Sequence, residues 1–327
     1  MNANHINVRQ LGKTDIEISP IGLGCMQFAG TANYTRLIIN PIDQEMATSV
    51  VRAALDNGVT WFDTAEMYGK GRSEETLSTA LKQCGLAPGQ VSVATKWTPH
   101  LRTAASIAAT VGDRLKHLGG HPIALHQIHS PSGSLSSIPA QLKVMARLFR
   151  EGTIGAVGVS NFSARQLVLA HNVLAAEGVT LASNQVRISL LHRKIERDGV
   201  LEAARRLGVT LIAYSPLEGG VLTGRYHDNA SLARSAPPAR RIFSRSRLSD
   251  RGLARTAPLI NAMRRIGEEH GATISQVALN WLITRYGDTV VAIPGASKPG
   301  QAAEAAGTMS FRLTESEIRT LDELSLT

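Results

Sequence analysis

The sequence predicts a (β/α)8 barrel, on three observations. Short β-rich runs recur at a spacing of roughly 30 residues, and helical patterns lie between them. Most of the runs are too apolar to alternate, as expected of strands buried on both faces. Polar residues also end three successive runs at an equal interval, which places them at one mouth of the barrel.

The predicted strands are Ile21–Gly24, Val59–Phe62, Val91–Thr95, Ile123–Ile128, Gly155–Val159, Leu181–Asn184, Thr210–Ala213 and Val290–Ile293. Ahead of them, Val8–Ser19 reads as a β-hairpin with Gly12 and Lys13 at its turn. Asp43 is placed to cap a helix that carries Met46, Val50, Val51, Ala54 and Leu55 on one face and ends at Gly58. Ser73 precedes Glu74 and Glu75, acids suited to a first helical turn. Ser163 with Gln166, and Thr314 with Glu317, have the spacing of capping boxes. Residues 104–118, 137–149 and 196–207 also read as helices. The rival architecture, a doubly wound sheet, announces its phosphate loop as GxGxxG. Here Gly22 and Gly24 are followed by Gln27, so that fingerprint fails. The longest irregular stretch, residues 222–255, contains Pro237 and Pro238 and falls between the seventh and eighth strands. It is expected to be a loop insertion at the C-terminal mouth, within one domain spanning residues 1–327.

Composition narrows the function classes. Hydrophobic residues make up 43% and charged residues 19%, the balance of a globular chain. No apolar run approaches the roughly 18 residues of a membrane span. The first residues lack the apolar core of a signal peptide, and Cys25 and Cys84 have no CxxC spacing. A cytoplasmic, reducing location is therefore expected. Lys plus Arg number 35 against 26 Asp plus Glu, a net charge of +9, but aromatics are only 4% and do not interleave with basic blocks. Nucleic acid is not an expected partner. Arg240, Arg241, Arg245, Arg247, Arg251 and Arg255 form the clearest basic cluster, which suits either a solvated loop or a phosphate-bearing ligand.

Asp63, Lys96 and His129 each follow a predicted strand, 33 residues apart in both steps, so one βα unit separates each from the next. Tyr68 lies five residues after Asp63, on the loop leaving the same strand. Singly, each residue is ordinary: an Asp caps, a Lys is solvated, a His packs. Together they make a proton donor. A tyrosine with an ordinary pKa near 10 is a weak acid. A neighbouring ammonium is expected to lower that value, a carboxylate to hold the ammonium, and an imidazole to orient a substrate oxygen. Metal binding by His121, His126 and His129 is not expected. The three do not share a face of the strand, and neither HExxH nor paired cysteines accompany them. No GxSxG marks a serine nucleophile.

Several segments together resemble the aldo-keto reductase superfamily over nearly the whole chain. These are Trp61–Gly69 (WFDTAEMYG), Gly155–Phe162 (GAVGVSNF), Asn184-Gln185, Ala213–Leu217 (AYSPL) and Ile293–Pro299 (IPGASKP). The resemblance implies a catalytic tetrad of Asp63, Tyr68, Lys96 and His129. It also implies NADPH/NADP+ as cofactor. Ser160, Asn161 and Gln185 are then expected on the nicotinamide carboxamide and Tyr214 stacked on the ring. Ser215, Leu217 and Gly219 are expected beside the pyrophosphate, and Gly295, Ser297, Lys298, Gln301 and Glu304 at the adenosine end. A cation such as Lys298 at the ribose favours a 2′-phosphate. Two departures are visible: Ala305 follows Glu304 where relatives often carry Asn, and Ser130 follows His129 where relatives often carry a bulky aromatic.

The expected activity is reduction of a small-molecule aldehyde or ketone to its alcohol, by a monomer or weak homo-oligomer. Met26 and Trp97 are the expected substrate wall. The alternative is a nucleotide-binding, redox-sensing regulatory subunit with little turnover, because the tetrad would survive in such a protein.

Overall fold

The computed structural model describes residues 8–30, 41–234 and 245–325. A two-stranded antiparallel hairpin, β1 (Arg9–Gln10) and β2 (Glu17–Ile18), precedes eight parallel strands. These are β3 (Leu23–Gly24), β4 (Trp61–Asp63), β5 (Ser92–Trp97), β6 (Ile123–Ile128), β7 (Val157–Ser160), β8 (Leu181–Arg187), β9 (Thr210–Tyr214) and β10 (Val290–Ala292). They pair in chain order from β3 to β10. Bridges Ile21–Ala292 and Gly24–Gly295 then join the last strand to the first, so the sheet closes on itself. The (β/α)8 expectation holds, hairpin included, and the doubly wound alternative does not.

The helices between the strands follow their sequence signals. The first three are α1 (Gln44–Asp56), α2 (Arg72–Gln83) and α3 (Ala105–His117). After them come α4 (Ile138–Arg150), α5 (Ala164–Ala176) and α6 (Val200–Leu207). Asp43 caps α1 by accepting the Met46 N–H at 2.8 Å, and Ser163 with Gln166 closes a full capping box on α5. Glu74 and Glu75 fall in the first turn of α2, as expected, and Ser73 lies inside the helix. Its hydroxyl donates to the Cys25 carbonyl at 2.7 Å.

Two expectations need correction. The helix predicted over 196–207 begins only at Val200, because Gly199 takes φ 79° and the Asp198 carboxylate accepts the Val200 N–H at 3.1 Å. Where it is described, residues 222–255 are largely helical rather than irregular: α7 (Arg225–Asp228), α8 (Ser231–Arg234), α9 (Arg245–Leu248) and the start of α10 (Asp250–His270). Pro237, Pro238, Arg240 and Arg241 lie outside the described residues. The chain ends in α11 (Ile274–Arg285), α12 (Pro299–Gly307) and α13 (Glu315–Ser325).

Strand alternation sorts the core into two layers. Phe62, Val93, Ile128, Val157 and Leu211 face the helices in one large apolar cluster. Trp61, Ala94, Leu125, Ala156, Ala182, Ile212 and Val291 fill the barrel, together with Leu11 and Ile18 from the hairpin. Each large side chain so buried contributes about 1.5–3 kcal/mol. One pleat further along, the same inward face carries Asp63, Lys96 and Gln127. The apolar layer is therefore the floor on which the polar residues stand.

Candidate active site

Asp63 and Lys96 meet inside the barrel, 2% and 0% exposed. Lys96 Nζ donates to Asp63 Oδ1 at 2.5 Å and to the Thr64 carbonyl at 2.8 Å. The same ammonium lies 5.2 Å from the Tyr68 ring centroid. The His129 ring meets Tyr68 edge to face, centroids 5.8 Å apart at 79°. The structure thus brings the four predicted residues together.

The electrostatics are ordered by burial. Desolvation works against the Lys96 ammonium, but Asp63 and Tyr68 more than offset it and its pKa rises above 10.5. Desolvation also raises the Tyr68 pKa above 10, and the opposing pull of Lys96 does not overcome it. Lys96 does pull the phenol down, as expected, but burial outweighs that pull and the net shift is upward. In the free protein Tyr68 is held as the protonated acid. His129 is pushed down to about 3 by burial and then by Lys96, so its imidazole is neutral at physiological pH. Its Nδ1 is buried without a hydrogen-bond partner.

Sequence reasoning missed the residues that complete the Asp63 carboxylate. Gln127 Nε2 and Gln185 Nε2 both donate to Asp63 Oδ2, at 3.1 and 2.9 Å. The signal was available: Gln127 pairs in register with Lys96 and precedes His129 by two, so all three share the inward face. Gln185, expected at a cofactor, thus also supports the Asp63 carboxylate through its amide nitrogen.

Beside Gln185 runs a polar row at the ends of β7 to β9. Ser160 Oγ donates to the Gln185 carbonyl at 2.9 Å, Asn161 Nδ2 to Ser160 Oγ at 3.0 Å, and the Tyr214 hydroxyl to Asn161 Oδ1 at 3.0 Å. Asn161, Ser215 and Glu218 have φ of 61°, 51° and 50°, in the left-handed region where side-chain-bearing residues are strained. Leu217 packs on the core while Ser215 is exposed. Glu218, 2% exposed and unforeseen from the sequence, accepts from Ser189 Oγ at 2.8 Å, from Arg187 at 2.5 Å and from Arg247 at 2.6 Å. Arg247, from the basic cluster, is thereby tied to the turn after β9.

Near the barrel seam, Gly24 and Gly295 pair backbone to backbone. A Cβ on Gly295 would lie 2.5 Å from the end of the Gln27 side chain, which would have to shift to admit it. Ser297 donates through its N–H and its hydroxyl to Gln301 Oε1, at 2.9 and 3.1 Å. Lys298 stands exposed at the start of α12, and Glu304 is turned away to Thr273 Oγ1 at 2.6 Å.

Of the expected substrate wall, Met26 is half-buried in a short 3-10 helix over Met26–Ala29. Trp97 is not a wall residue. It follows inward-facing Lys96 on β5, so it points outward, is 0% exposed, and bonds Ser106 Oγ at 3.1 Å. Among the described residues, no helix is long and apolar enough to cross a membrane. No group of three or more His, Cys, Asp or Glu among them is placed to hold a metal ion.

A closed barrel with a buried carboxylate and ammonium, and a half-buried phenol and imidazole, at the C-terminal mouth defines an oxidoreductase of the (β/α)8 class. The chain belongs to the Aldo/keto reductase family, whose family model matches residues 20–326. A chloroplastic pyridoxal reductase of Arabidopsis thaliana is 31% identical, over 92% of this chain and 82% of that protein. The structure of the glycerol dehydrogenase AKR11B4 from Gluconobacter oxydans is similar with a TM-score of 0.81 and 27% identity, covering 98% of this chain and 95% of that one. An aldo-keto reductase from Klebsiella pneumoniae in complex with NADPH shares the fold, with a TM-score of 0.73 and 24% identity over 97% of this chain and 94% of that chain.

Proposed function

We propose that the protein reduces an aldehyde or ketone to the alcohol with NADPH, Tyr68 giving its proton to the carbonyl oxygen. The observation that carries this reading is the Tyr68 ring 5.2 Å from a buried, carboxylate-paired Lys96 and edge to face with a neutral His129. NADPH, when bound, supplies the hydride to the carbonyl carbon. Tyr68, protonated at neutral pH, donates the proton as negative charge grows on the oxygen. Lys96 stabilises the resulting phenolate, and Asp63 with its two glutamine donors keeps that ammonium charged and in place. Neutral His129 offers the substrate oxygen a second hydrogen bond without competing as an acid.

The polar row of Ser160, Asn161 and Tyr214 fits a nicotinamide amide and ring. The strained turn at Ser215–Gly219, with Leu217 beneath it, fits a pyrophosphate. Gly295, Ser297, Gln301 and the Lys298 ammonium fit an adenosine 2′-phosphate, with no polar partner of Lys298 among the described residues to compete. Glu304 fits less well, since its carboxylate is engaged by Thr273. The chain's likeness to a reductase bound to NADPH supports the cofactor assignment.

The test is Tyr68→Phe. Reduction is expected to fall by about 10²–10⁴-fold, the range of a lost general acid, with NADPH affinity retained. Reduction near the wild-type rate would mean that another group donates the proton. Tight NADPH binding by the wild type, with no turnover across an aldehyde and ketone panel, would return the regulatory-subunit reading.

A further inference from the structure

Three loops form the mouth on the Tyr68 side, and one buried ion cluster ties them together. Glu66, two residues before Tyr68 and 9% exposed, uses every polar group it has. Its N–H donates to the Lys96 carbonyl at 3.3 Å, and its carbonyl accepts the Gly71 N–H at 2.8 Å. Its Oε1 accepts the Thr98 N–H and Arg102 Nη1, each at 2.5 Å, and Oε2 accepts Arg114 Nη1. Arg102, on the loop after β5, then reaches the loop after β6. Its carbonyl accepts Ser134 Oγ and the Leu135 N–H, both at 2.9 Å. Leu101 N–H donates to the Gly133 carbonyl at 2.7 Å, and Leu101 holds φ 53° and is 70% exposed to make that contact. A leucine in the left-handed region is strained and persists only where its surroundings over-determine it.

A carboxylate buried with one buried and one part-exposed guanidinium is a poor stabiliser, because apolar groups of similar volume fold as well or better. What it fixes here is geometry. The loop that begins at His129 and the loop that carries Tyr68 are both fastened to Arg102, and the two rings they deliver touch edge to face. We infer that Glu66 and Arg102 are positioning residues that hold Tyr68 and His129 in register for proton transfer, an inference that rests on the reduction reading above.

The experiment compares wild type with Glu66→Gln, Arg102→Met and the double variant. It measures kcat per NADPH-binding site counted by fluorescence titration, NADPH Kd, and the isotope effect on kcat with C4-deuterated NADPH. Each single variant is expected to lose about tenfold or more in per-site kcat, to keep its NADPH Kd within about twofold, and to show a larger isotope effect. The double variant should be no slower than the worse single, because both changes cut one linkage. Arg147→Met, which breaks the surface pair with Glu151 at 3.6 Å, should be silent. Per-site kcat at the wild-type level, losses that multiply in the double variant, or an unchanged isotope effect would overturn the role. If Glu66→Gln fails to fold, Arg102→Lys carries the same test, since lysine keeps the charge but lacks the planar fork. A wild type that reduces no carbonyl defeats the reduction reading and this role with it. An active wild type with unaffected variants defeats this role alone.

Discussion

Lys96 Nζ lies 2.5 Å from Asp63 Oδ1, with both side chains shut away from water. Removing one partner of such a pair leaves a buried charge uncompensated, at a cost of about 3–5 kcal/mol. Lys96→Met is therefore expected to lower the Tm and to abolish measurable reduction. The double variant Asp63→Asn/Lys96→Met should recover much of the Tm, because no charge is stranded, and none of the activity. Thermal unfolding and turnover measured side by side check this; recovery of both together would refute the assignment.

The two ring residues set the pH profile. Tyr68 is held above its ordinary pKa and His129 at about 3, so neither changes state near neutrality. The kcat for reduction should be flat from roughly pH 5 to 8 and decline only as the phenol ionises at higher pH. An inflection near pH 6.5 would mean that His129 titrates in the working range.

Stability should depend on pH through His126. This residue is 1% exposed, neither ring nitrogen has a hydrogen-bond partner, and burial, then Arg114, pushes its pKa to about 3. The folded pKa lies below the unfolded value of 6.5, so the unfolded chain binds more protons between the two values. Stability from this group is full above pH 6.5 and is lost progressively toward pH 3. His126→Leu should make the fall in Tm between about pH 7 and 4.5 shallower, with His129, lowered to the same value, still contributing. An equally steep fall would place the acid sensitivity elsewhere.

Cofactor preference should reside at the head of α12. Lys298→Ala is expected to raise the KM for NADPH about tenfold or more, the worth of a charge-assisted contact, and to leave the KM for NADH nearly unchanged. Equal changes would remove Lys298 from the 2′-phosphate.

The sequence made the barrel legible because each strand is a short apolar run between capped helices, and because Asp63, Lys96 and His129 repeat one βα unit apart. Gln127 and Glu218 were not legible. Each acquires its meaning only from a partner distant in sequence: Asp63 for the first, Arg187 and Arg247 for the second. Trp97 turns away from the mouth because it follows inward-facing Lys96 on β5, an alternation that shows only once the strand's register is known. The direction of the Tyr68 shift was misjudged because a list of neighbouring charges says nothing of how much water the fold excludes.

The bridges Ile21–Ala292 and Gly24–Gly295, with Arg9 donating to the Val290 carbonyl, join segments about as far apart in the chain as it allows. During synthesis, every residue of the tetrad therefore leaves the ribosome before the strand that seals the barrel exists. Until Val290–Ala292 arrives, the β3 flank is an unpaired edge open to other chains. Closure by such distant partners is slow, so yield in a cell should respond to synthesis speed and chaperone supply.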